Sequence, residues 1–203
     1  LLDRGRIAER GDVDRVVNTY LYDQTITPDT LVLDWPPGQG PGDEVCRLTS
    51  FKVRGMFRGP TTVSSDADIQ VEMTVVIGKP HSSLCIGFDL SDSKGNVLLR
   101  SFQTDGSEVD WPTLEAGRNT LSCSIPAGLL NEGRYHVRPL IGLHNIEWIV
   151  MGSHVLQFEV ERDHGRSPLW STLKKGARPG VISPILDWQR SDSTPEMVAG
   201  GRG

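Results

Sequence analysis

The side chains best equipped for chemistry in this sequence fall at every second position of extended segments. Gln70, Glu72 and Thr74 alternate with apolar residues, and so do Asp89, His136 and Arg138, while Arg100 and Phe102 stand two apart in the same way. If the alternation holds, these eight share one sheet face. They supply an amide, carboxylates, guanidinium groups, an imidazole and an aromatic ring. That mixture suits sugar recognition, because hydroxyls need paired donors and acceptors and flat C–H faces stack on rings. His144 and Trp148 follow the Arg138 segment and are expected at its rim. The candidate carbohydrate-binding set is therefore Gln70, Glu72, Asp89, Arg100, Phe102, His136, Arg138, His144 and Trp148. The plainer alternative is a solvated face with Arg100 and Arg138 in surface ion pairs. Trp111 and Trp170 read as loop anchors or interface residues.

Other chemistries find little support. The histidines are His81, His136, His144, His154 and His164. None pair at i, i+4, and none has a cysteine or carboxylate at a metal-ligand spacing, although His136 and His144 could approach in space. Asp89, Asp92, Asp105 and Glu108 could include a glycosidase-like pair, but carboxylates on β-turns are ordinarily solvated turn residues. No phosphate loop, GxGxxG, HExxH or GxSxG motif occurs.

The positioning elements follow from a period of two. Strands are expected over Val45–Val53, Asp68–Ile77, Leu84–Leu90, Val97–Gln103, Thr120–Ile125, Arg134–Leu143 and Gly152–Glu161. Lys94-Gly95-Asn96 makes a hairpin turn. Pro139 should lie at an edge or bulge, since proline donates nothing to a ladder. Short strands with turn signals between them predict an all-β fold. We expect an antiparallel β-sandwich, immunoglobulin-like or jelly-roll, of about 7–9 strands. Residues 180–188 are expected to add a late strand after the polar, Gly/Pro-broken loop at 162–180.

The first residues read differently. Asp3-Arg4-Gly5 looks like a turn between short strands, and Val13, Val16, Val17, Tyr20 and Leu21 predict a helix over 13–22. Residues 24–43 hold Pro28, Pro36, Pro37 and Pro41 and read as a linker, within which Leu31–Trp35 docks as an edge segment. Residues 189–203 read as a disordered tail. The chain opens at Leu1 in mid-pattern, as a C-terminal piece of a longer protein would.

Composition sets outer bounds. Against 21 basic residues stand 26 acidic ones, a net charge of -5, which disfavours a general nucleic-acid binder. No apolar run approaches the roughly 20 residues that span a bilayer. Cys46, Cys85 and Cys123, an odd and widely spaced set, read as buried thiols in a reducing compartment.

Two segments resemble one family. Leu2, Gly5, Arg6, Ile7, Gly11, Val16 or Val17, and Tyr20 follow the order of the closing hairpin and helix of an ABC-transporter nucleotide-binding domain. Ile86-Gly87-Phe88-Asp89-Leu90-Ser91-Asp92 with Gly95, then Leu129–Tyr135, then Leu156–Val160, and Gly180-Val181 through Trp188, resemble the C-terminal carbohydrate-binding domain of Wzt-type ATPases. Those ATPases serve O-antigen polysaccharide export. The resemblance covers most of residues 1–188. It divides the chain into an ATPase end (1–23), a linker (24–43), a carbohydrate-binding sandwich (44–188) and a tail (189–203).

The resemblance implies a binding module without catalysis of its own. No cofactor is expected here, since ATP and magnesium would belong to an upstream ATPase domain. The implied partners are the O-antigen glycan, a second copy of the chain and a membrane-spanning Wzm-type permease. The implied place is the cytoplasmic face of the bacterial inner membrane, and the late strand would cross between protomers. Two other readings stay open at this point: a dimerisation or regulatory appendage that binds no glycan, and a glycan-cleaving enzyme.

Overall fold

The computed structural model describes residues 31–151, 154–162 and 179–189, and beyond these only the backbone pairing of three short strand segments. The helix expected over 13–22 and most of the 162–180 loop lie outside the described residues.

Thirteen strands are described, in chain order. They are β1 (Leu2–Asp3), β2 (Arg6–Ile7), β3 (Ile26–Thr27), β4 (Val32–Asp34), β5 (Cys46–Arg54), β6 (Thr62–Ser64) and β7 (Ile69–Ile77). There follow β8 (Leu84–Asp92), β9 (Val97–Phe102), β10 (Gly117–Ile125), β11 (Gly133–Leu143), β12 (Glu147–Val150) and β13 (Val155–Glu161). All seven segments with clear alternation are strands. The hairpin expected around Asp3-Arg4-Gly5 is present as the antiparallel β1–β2 pair.

Two sheets pack face to face. The smaller runs β10-β7-β5-β4 and is antiparallel throughout. The larger runs β3-β13-β11-β8-β9, with β12 on β11 and β6 on β13. Val71, Met73, Val75 and Ile77 of β7 share one core with Ile86, Phe88 and Leu90 of β8 and with Tyr135, Val137 and Ile141 of β11. Each such side chain stabilises the fold by about 1.5–3 kcal/mol on burial. The expected all-β sandwich is the architecture observed.

Pro139 falls where β11 changes neighbours. Residues 133–137 pair with β13 and residues 141–143 with β12, so the flank of β11 at Pro139 meets neither. A local edge inside a central strand accommodates the missing donor.

The Pro/Gly run at 24–43 contributes to the smaller sheet. Val32–Asp34 pairs with β5 as the expected edge segment, and Trp35 N donates to Thr49 O at 3.0 Å. Leu48 N donates to Pro41 O, and Arg47 Nη1 to Gly40 O.

Two expectations need correction. Residues 180–188 form no strand: one bridge, Leu130 to Ile182, is their only ladder contact among the described residues. Pro184 interrupts the donors, and Ile185, Leu186 and Trp188 are left exposed. The three cysteines are not all buried. Cys46 is, Cys85 is half-buried, and Cys123 is exposed on the sheet-edge strand β10.

The Leu129–Tyr135 motif holds the late segment by hydrogen bonds instead. Asn131 N donates to Val181 O, Asn131 Nδ2 to Gly180 O, and Ser183 N to Leu129 O. The Tyr135 hydroxyl lies 2.9 Å from the carbonyl oxygens of both Asn131 and Val181, and burial pushes its pKa up to about 12. Tyr135→Phe should cost about 1–2 kcal/mol in urea unfolding, because the buried Asn131 carbonyl and the part-buried Val181 carbonyl lose their shared donor.

Candidate functional site

Three rungs on the outer face of the larger sheet build the site. In the first, Arg138, Asp89 and Arg100 stand side by side on β11, β8 and β9. Asp89 accepts from Arg100 Nε at 2.7 Å, Arg100 Nη2 at 2.9 Å and Arg138 Nη2 at 2.9 Å. Its side chain is only 1% exposed. Burial alone would push the carboxyl pKa up, but the hydrogen bonds and charges of both arginines outweigh it and hold it below the ordinary range. The same carboxylate raises the pKa of Arg100.

The second rung is Leu140, Gly87 and Phe102; the third pairs Cys85 with Gly142, which Trp148 of β12 faces from the other side. The two glycines make room for the two rings. A Cβ on Gly87 would lie 2.7 Å from Phe102 Cδ1, and one on Gly142 would lie 3.0 Å from Trp148 Cε3. Phe102 and Trp148 therefore rest against bare backbone. Their centroids are 6.3 Å apart with planes inclined by 29°. The Arg100 guanidinium lies 5.7 Å from the Trp148 ring centre. Trp148 keeps 47% of its surface exposed.

Gln103 fixes the end of β9. Its Oε1 accepts from Ile86 N at 2.6 Å and its Nε2 donates to Leu84 O at 2.7 Å, so an amide side chain continues the ladder. Beyond it, Asp105 Oδ2 accepts from Phe102 N at 2.8 Å. On the other side, the β11–β12 turn closes with Ile146 N donating to Leu143 O and with Asn145 at φ 59°. Asparagine tolerates that left-handed backbone better than most residues.

These elements enclose a cleft of about 550 Å³. Phe102, Trp148, Arg100 and Gly142 line it together with Thr104, Asp105 and the His144–Glu147 turn. Its size and its mixture of rings with converging polar groups suit a small ligand. Among the described residues no cluster of three or more His, Cys, Asp or Glu could hold a metal ion, and no helix is long and apolar enough to cross a membrane.

No protein-family model and no curated protein matches this chain. Among solved structures, the crystal structure of the C-terminal domain of Wzt matches with a TM-score of 0.52 at 14% identity, covering 86% of this chain and 96% of that one. The fold is that of the Wzt C-terminal domain. An NMR and a crystal structure of the CARDB domain of PF1109 from Pyrococcus furiosus also match. Their TM-scores are 0.33 and 0.35, at 18% and 15% identity. They cover 59% and 64% of this chain and 97% and 100% of theirs, and likeness at that level carries no argument.

On this Wzt-like sandwich the expected site set divides. Arg100, Phe102, His144 and Trp148 come together in the cleft, with Asp89 and Arg138 directly behind Arg100. Gln70, Glu72 and Thr74 belong to β7 of the smaller sheet, so the expected single face is two faces of two sheets. There Glu72 pairs with Arg54 and Thr74 with Thr120.

His136 is 2% exposed, and its ring nitrogens engage Asp92 O and Gln157 Oε1. Burial lowers its pKa despite both contacts. Its position is that of an internal brace. Asp92, one of the carboxylates weighed as catalytic, accepts from Lys94 N, Asn96 N and Asn96 Nδ2 and so shapes the β8–β9 turn.

The cleft also holds residues that the alternation does not point to: Thr104, Asp105, Asn145 and Glu147. Thr104, Asp105 and Asn145 lie just beyond strand ends and Glu147 opens the short strand β12, so no long period of two runs through any of them. The signal available for them was the close spacing of Gly142, His144 and Trp148, which marks a turn carrying an aromatic back onto its own strand.

Proposed function

We propose that this chain is a carbohydrate-binding module and that the Phe102–Trp148 cleft receives a sugar ring. The observation that carries the reading is the pair of rings laid on Gly87 and Gly142, with Arg100 beside them and hydrogen-bonding groups around the rim. Flat, half-exposed rings suit the C–H faces of a pyranose, and the rim groups suit its hydroxyls. The likeness of fold to the Wzt C-terminal domain supports the same reading.

At finer grain, the module would serve a polysaccharide-exporting ABC transporter. It would recognise the non-reducing end of an undecaprenyl-linked O-antigen glycan on the cytoplasmic side, beside an ATP-binding domain and a Wzm-type permease. Titrating the chain calorimetrically with O-polysaccharide from its own source tests this. Saturable binding that is lost in Trp148→Ala is the expected result, and absence of binding would remove the reading.

A second role rests on the exposed apolar residues Ile182, Ile185, Leu186 and Trp188. These would pair with a second copy and make the module a dimer. Light scattering should then give twice the chain mass, and deletion of residues 180–203 should give the monomer. A monomeric intact chain would exclude it.

A further inference from the structure

The charges of the cleft narrow the class of sugar it takes. Of the lining residues, Arg100 carries a positive charge and Asp105 and Glu147 negative ones. Arg100 uses Nε and Nη2 on Asp89, at 2.7 and 2.9 Å. Those two N–H groups form one of the two edges by which a guanidinium grips a carboxylate or phosphate bidentately. Arg138 points its Nη2 at the same Asp89 oxygen. The buried carboxylate thus takes one edge of Arg100 and one nitrogen of Arg138 and offsets their charge, while Asp105 and Glu147 line the space a ligand would enter.

An acidic group there meets the like charge of Asp105 and Glu147, while the charge of Arg100 is already balanced by Asp89. Hydroxyl groups, in contrast, can donate to both carboxylates while the ring lies on Phe102 and Trp148.

Resting on the carbohydrate reading above, we infer that the cleft takes a sugar end without negative charge and that Asp105 and Glu147 discriminate against acidic glycans. The selection is electrostatic, so it weakens as salt screens it.

The test uses the full chain and matched oligosaccharides ending in glucose, galactose or mannose. Each is compared with the form whose terminal C6 alcohol is oxidised to a carboxylate. Calorimetry at low ionic strength should show the neutral member of a binding pair at least about tenfold tighter. In the double variant Asp105→Asn/Glu147→Gln that ratio should fall to about twofold or less. Equal or tighter binding of the acidic member overturns the inference and leaves the carbohydrate reading standing. So does a ratio that the double variant does not move. If neither member of any pair binds the native chain, both the inference and the carbohydrate reading fall.

Discussion

Gly87→Ala is expected to destabilise the domain by about 3 kcal/mol, and to weaken ligand binding as well. The added Cβ would lie 1.9 Å from the carbonyl oxygen of Ser101 and 2.9 Å from Phe102 Cα. Both are backbone atoms of β9, so no side-chain rotation relieves the clash. The β8–β9 pairing must open locally, and this displaces Phe102 and breaks the alignment of Asp89 with Arg100 one rung away. Gly106→Ala provides the control, because a Cβ there meets nothing within 4 Å. Urea unfolding of the two variants should show a large shift in midpoint for the first and little for the second. Equal midpoints would mean that the rings do not need the glycine.

Asp89→Asn is expected to lower stability at pH 7 by about 2–3 kcal/mol. The loss is smaller than for a fully buried pair, because the Arg100 and Arg138 side chains remain 40% and 30% exposed and regain water. The sign with pH follows from the depressed carboxyl. Asp89 is held below its unfolded pKa, so its contribution is complete above the ordinary aspartate value of about 4. That contribution is lost as the pH falls through the lower folded value. The native chain and the variant should therefore converge in stability toward low pH and separate above it. A gap unchanged down to pH 2 would contradict the ion-pair account. Arg100 also loses its anchor beside Trp148, so binding should weaken in the variant even where it is folded.

Much of the fold was legible in the residues, for a definite reason. Strands such as Ile69–Ile77 and Leu84–Asp92 alternate long enough for a period of two to be visible. Thr62–Ser64 and Glu147–Val150 are too short to show any period, and neither was foreseen. Alternation also tells which residues share a face of a strand, not which sheet that strand joins. Glu72 and Asp89 have the same local pattern, yet they belong to different sheets.

The reading of His136 failed for another reason. The face opposite the core is itself closed at this place: Leu140, Val155 and His136 are all buried there. A residue pointing away from the core need not meet solvent. The late segment failed because an apolar run with a central proline lacks the continuous donors of a strand. The candidate residues that come together are fewer than the first pattern implied. They make a cleft at the end of one sheet from Arg100, Phe102, His144 and Trp148, with residues of two turns added.

The account rests on the claim that the paired rings in that cleft hold a sugar. The most direct measurement is calorimetric titration of the native chain and Trp148→Ala with O-polysaccharide from its own source, with thermal unfolding recorded for both. Trp148 is half-exposed and its ring lies over Gly142, so its removal should cost little stability. Loss of a stacking face should weaken binding by about tenfold or more. Native binding with an unchanged affinity in a folded Trp148→Ala chain would contradict the claim.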